Sequence, residues 1–157
     1  MSSADILRDN LDVARKMHTH LSRSHTKAAP IIPLQTAAVS TLDNEQIDLL
    51  DLYLSRFGKL QDYMVSKVFR AIAKASLEDT SQDVSTLDTL NRMAKFGVIT
   101  NLDAWLKARL LRNAFAHEYL DDDAAIAENV NAAFALFDLL ETTLATSEAF
   151  YEQRIKR

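Results

Sequence analysis

The chain has 157 residues, a formal charge of −4, no cysteine, and only 2 glycines and 2 prolines. Average usage would be about 7% Gly and about 5% Pro, so turn-rich β-sandwiches and barrels are excluded, as are glycine-clustered dinucleotide and phosphate-loop sites. Absent cysteine excludes disulfides and cysteine-ligated zinc, and the negative charge argues against a protein that coats nucleic acid non-specifically.

A single domain over residues 1–157 is expected, read as an all-α, antiparallel bundle of about five helices. The first helix runs from about Ala4 to Ser24, with Leu7, Leu11, Ala14 and Leu21 at helical spacing. Pro30 and Pro33 break the connection at 25–42, whose apolar residues predict that it packs down. The second helix starts near Thr41 or Asp43 and reaches about Leu77. Its stripe is Leu50, Leu54, Phe57, Leu60, Met64, Val68 and Ile72, with Gly58 marking close packing or a kink. A polar connector fills 78–85. The third helix, Thr86 to Phe96, places Leu87, Leu90 and Ala94 on one side, and Gly97 suits a left-handed cap. Asn101 caps the fourth helix, which carries Asp103 in its first turn. Asp121, Asp122 and Asp123 open a fifth helix to about Ala149, with Ile126, Val130, Phe134, Phe137, Leu140 and Leu144 as its stripe.

No apolar run approaches the roughly 18 residues of a membrane span. The opening MSSADILRDN lacks a basic-then-apolar leader, so a cytoplasmic chain is expected. His18, His20 and His25 lack the i, i+4 spacing of a helical zinc site. The three aspartates at 121–123 read as dipole stabilisation. No metal and no cofactor is expected.

Chemistry concentrates in WLKARLLRNAFAHEYL, residues 105–120. With Arg112 at the origin of a helical wheel, Arg109 falls at about 60°, Asn113 at about 100° and His117 at about 140°. These four share a polar arc, while Ala108, Leu110, Leu111, Ala114 and Phe115 are expected to face the bundle. Histidine titrates near neutral pH and suits proton transfer, and arginine grips phosphate. RNA carries its own nucleophile in the 2′-hydroxyl, so such a pair could cleave it without a metal. From spacing alone, a surface Arg and a helix-terminal His are an equal reading.

The segment from Arg112 and Asn113 to His117, Glu118 and Tyr119 resembles the Arg–four residues–His–one residue–Tyr motif of HEPN-domain ribonuclease toxins, specifically the HepT-like group. The approach LDTLNRMAKFGVITNLDAWLKARLLRN and the RFGKLQD stretch, Arg56 to Asp62, extend the likeness over roughly residues 45–145. The resemblance implies a helical homodimer that joins two motifs across its interface and cleaves RNA, with tRNA a fair guess, without metal. Arg112 would hold the phosphate, His117 would be the acid/base, and Asn113 would orient neighbouring groups, with Arg109 beside them. Asp62, with Arg56, either supports the site or fixes packing as a buried or interfacial polar residue. The resemblance also implies a cognate nucleotidyltransferase antitoxin that transfers AMP from ATP to Tyr119. The alternative is a non-catalytic substrate-binding or partner subunit of a nucleotidyltransferase. The longer first connection departs from the compact members of the group.

Overall fold

The computed structural model describes residues 1–76, 85–115 and 122–156, with the backbone alone for 112–115. Among them there is no strand, and the chain is an all-α helical bundle. The helices are α1 (Ser3–Ala28), α2 (Asn44–Tyr63), α3 (Arg70–Ala75), α4 (Thr86–Lys95), α5 (Leu102–Phe115), α6 (Asp123–Ala135) and α7 (Phe137–Phe150). A π-helical segment, Met64–Phe69, joins α2 to α3 without a break, and a second, Tyr151–Ile155, continues α7.

Local chemistry sets most helix starts. Ser2 and Asp5 form a reciprocal capping box at α1, and Asp43 and Gln46 form another at α2. The side chains of Ser85, Asn101 and Asp122 each accept a backbone N–H in the first turns of α4, α5 and α6. Gly97, at φ 78°, ends α4. There Val98 N–H donates to Met93 O (2.9 Å) and Gly97 N–H to Ala94 O (3.1 Å), the paired bonds of a Schellman cap.

Three expectations are corrected. Helix α1 continues four residues past Ser24, to Ala28, because His25 and Ala28 pack inward rather than entering a loop. The fifth predicted helix is two, α6 and α7, divided at Leu136 (φ −92°, ψ 3°) with no Gly or Pro to mark the division. Leu87 is 53% exposed; Thr89, Leu90 and Met93 form the buried face of α4. Most of the 78–85 connector lies outside the described residues.

The long stripe of the second helix behaves as read. Leu50, Leu54, Phe57, Leu60, Met64, Val68 and Ile72 are all buried. Gly58 is buried within α2, and the helical irregularity comes later, at the π-helical segment. The Pro-broken connection does pack down. Leu34 is buried, and its N–H and C=O are both held by the Asn131 amide of α6, at 2.8 and 2.9 Å. The connection also contains short 3₁₀ turns, Ala29–Ile31 and Thr36–Thr41, and a cis Ile32–Pro33 peptide.

Helices α1 and α2 are antiparallel. Tyr63 Oη donates to Asn10 Oδ1 (3.3 Å) at one end, and Arg56 Nη1 donates to His20 O (2.9 Å) nearer the other. The core then closes with α5, α6 and α7. Tyr53 of α2 hydrogen-bonds Ala133 O of α6 (2.9 Å), and the His25 ring of α1 stacks on Phe137 and Phe134, 4.0 and 4.9 Å between centroids. No helix among the described residues is long and apolar enough to cross a membrane.

Candidate functional site

The expected catalytic segment begins on α5. Asn101 starts this helix, and Trp105 and Ala108, both fully buried, anchor it to the bundle. Asp103, Lys107 and Leu110 face outward, and Leu110 is 69% exposed. Position 112 follows Ala108 by four residues and Trp105 by seven, within the last described turn of α5. The expected orientation is corrected at one position. Leu110 does not face the bundle, although Ala108 is buried as expected. The tertiary anchor is Trp105, the largest fully buried side chain, which fixes the rotation of the helix.

Position 113 follows the half-buried Arg109 by four residues. His117, Tyr119 and Asp121 lie outside the described residues, so their relation to Arg112 does too. Asp62 and Arg56 are on α2, which packs against α5. Asp62 is exposed and makes its own interactions, which removes the reading of it as a buried packing residue. Arg56 turns to α1, where it caps the His20 carbonyl.

Arg56 belongs to a second constellation that the sequence reading did not assemble. A groove of about 280 Å³ between α1 and α2 is lined by Met17, His20, Arg23, Arg56 and Lys59. On α1, Lys16, His20, Arg23 and Lys27 recur at i, i+4, i+7 and i+11, all exposed, which places them along one face. That stripe was visible in the sequence; its pairing with Arg56 and Lys59 required the α1–α2 register.

A third cluster is half-buried between α1 and α7. Arg15 donates from Nε to Glu148 Oε2 (3.1 Å), from Nη2 to Glu148 Oε1, and from Nη1 to Glu141 Oε2 (3.3 Å). His18 is 7% exposed. Its Nδ1 stands 3.4 Å from both Arg15 Nη1 and Ser22 Oγ, and its Nε2 lies 2.6 Å from Glu141 Oε2, out of line for a hydrogen bond. A guanidinium only donates, so Nδ1 is the acceptor and the ring proton sits on Nε2. With Nδ1 already facing Arg15, the ring has no lone pair for the Ser22 proton, and the Ser–His–Glu proximity is not a nucleophilic triad. Burial holds the His18 pKa below its ordinary value; Glu141 opposes this and Arg15 reinforces it. His25 is likewise depressed by burial, opposed by Asp138.

Among the described residues no group of three or more His, Asp or Glu side chains is arranged to hold a metal ion. Two further cavities are largely apolar. One lies between α5 and α6, lined by Lys107, Leu110, Leu111, Glu128, Ala132 and Leu136 among others. The other lies beneath the Pro-broken connection, lined by Val39, Leu42, Ile47, Leu54 and Ile126 among others. No family model, curated protein or solved structure matches this chain.

Proposed function

We propose that the chain is a HEPN-type, metal-independent endoribonuclease toxin of the HepT-like group, working as a homodimer. The observation that carries this reading is the Arg112–His117–Tyr119 spacing in the sequence of an all-α chain. In this reading Arg112 binds the scissile phosphate and stabilises its developing charge. His117 moves the proton of the attacking 2′-hydroxyl and returns one to the leaving 5′-oxygen. Asn113 orients neighbouring groups with Arg109 beside them, and Asp62 supports from α2. Arg109 is half-buried, so its charge is less screened by water than that of a fully exposed arginine.

A second copy would complete the site across α5. The outward Leu110, beside the cavity that Leu111, Ala132 and Leu136 line, offers an apolar seat for it. Neutralisation would follow from a nucleotidyltransferase antitoxin. The Tyr119 oxygen attacks the α-phosphorus of ATP, pyrophosphate leaves, and the AMP adds bulk and negative charge beside the phosphate-binding arginine.

The test is cleavage of total RNA, including tRNA, by the purified chain in EDTA. Arg112→Ala and His117→Ala are each expected to lower cleavage by about 100-fold or more with unchanged circular dichroism. Cleavage undiminished by either substitution, or none by the wild-type chain, overturns the reading. With ATP and the cognate transferase, mass spectrometry should find AMP on the Tyr119 peptide.

A further inference from the structure

We propose that the α1–α2 groove is a docking track for the phosphate backbone of a nucleic acid strand, apart from the residues that would cut it. Arg23 and Lys59, with Arg56 and His20, line one open groove over the Met17 side chain. Lys16 and Lys27 extend the row along α1. None of these cations has an ion-pair partner among the described residues, although the chain as a whole is acidic. Arg8, Arg15 and Lys156 pair with carboxylates, whereas the groove gathers its cations along two adjoining helices. An unneutralised row of like charges repels itself, and a bound polyanion relieves that repulsion.

The shape of the row selects the ligand. From Lys16 to Lys27 it spans about 16 Å at the helical rise per residue. Phosphates lie ~3.4 Å apart along the axis of a duplex strand and somewhat further apart in an extended single strand, so several fit along the row in either case. Helix N-termini hold single small anions with converging backbone N–H groups. Here both walls are mid-helix, where those groups are consumed, and only side-chain charges are presented. Such charges hold a backbone without reading bases. The Arg56–His20 carbonyl bond fixes one cation at the centre, while Arg23 and Lys59 remain exposed on either wall.

The choice of nucleic acid over another polyanion rests on the ribonuclease reading above. Binding is measured without cleavage, so the two can fail separately. The experiment is fluorescence anisotropy of the full-length His117→Ala chain with a labelled RNA of about 20 nucleotides, from about 50 to about 200 mM salt. Arg23→Glu/Lys59→Glu is compared with Lys95→Glu/Lys156→Glu, which changes net charge equally outside the groove. Arg23→Gln/Lys59→Gln serves as the milder variant, and melting temperatures check folding.

The groove variant should lose about 10-fold or more in affinity at about 100 mM salt. Its log–log salt slope should fall by about 1.4, two contacts at about 0.7 each. The control should stay within about twofold of the parent. A DNA strand of the same sequence should behave like the RNA, because phosphates and not 2′-hydroxyls are held. Absent binding, or equal losses in groove and control variants, overturns the proposal. So does a polyglutamate peptide that binds as tightly as RNA of equal charge, which would make the groove a site for acidic protein segments. Groove-dependent binding by a chain whose wild type cuts no RNA supports the track and removes the ribonuclease reading.

Discussion

Arg15 of α1 grips the Glu148 carboxylate of α7 with two nitrogens while a third reaches Glu141, so one guanidinium ties together helices whose carboxylates lie 126 and 133 residues away. Each side chain is about one-third exposed or more, which moderates the pairing through solvent screening. Arg15→Ala takes the guanidinium from both carboxylates. It should lower unfolding free energy by about 1–2 kcal/mol in urea melts. Arg15→Ala/Glu148→Ala should recover part of that loss, and no recovery would show that the pair does not couple.

Acidity should weaken the fold through two histidines. Burial depresses both His18 and His25, so the unfolded chain binds their protons first as pH falls. Their contribution is complete above the ordinary histidine pKa of about 6.5 and is lost as pH drops through the lower folded values. Glu141 beside His18 and Asp138 beside His25 reduce the effect without reversing it. His25→Phe keeps a ring against Phe137 and should flatten the fall in melting temperature below that pH. An unchanged pH profile would exclude His25 as a contributor.

Gln61 on α2 is 1% exposed, and neither amide atom has a hydrogen-bond partner among the described residues. A buried unpaired amide costs about 1–3 kcal/mol. Gln61→Met fills the space without the polar atoms and should raise the melting temperature. A clear destabilisation would reveal that the amide is satisfied in solution.

Gly97 needs its positive φ to terminate α4, but a Cβ there would meet nothing within 4 Å. The penalty of Gly97→Ala is therefore backbone strain alone, about 1–2 kcal/mol. Gly97→Asn, which tolerates the left-handed region, should cost less. Equal effects of the two substitutions would contradict this account.

Leu110 tests the proposed dimer. It is exposed on α5, and replacing it should leave the protomer core intact. Leu110→Glu should shift light-scattering mass from dimer toward monomer and reduce RNA cleavage with it. A Leu110→Glu chain that remains as dimeric as wild type would move the interface off this face.

How far the sequence reaches is clearest along α2 and α5. Period and caps alone place the buried line from Leu50 to Ile72 and the starts at Asp43, Asn101 and Asp122, because hydrophobic periodicity and capping are local properties. The left-handed cap at Gly97 is legible for the same reason. The same local reasoning misplaces Leu110 on α5. Leu110 groups with Ala108 as an apolar, inward residue, yet the helix is anchored by the buried Trp105 and leaves Leu110 outward.

The Arg112–His117–Tyr119 spacing is likewise a property of the sequence. The burial of His18 with Arg15, Glu141 and Glu148 is not, since it joins residues more than 120 positions apart and leaves no periodic trace. The division at Leu136 has no Gly or Pro to announce it and comes with Phe134 and Phe137 both stacking on His25 of another helix. The cationic groove stands between these cases. Its α1 stripe is written at helical spacing, but Arg56 and Lys59 join it only through the antiparallel register of α1 and α2. Pairing between helices is set by the sum of many weak packing contacts rather than by any local signal.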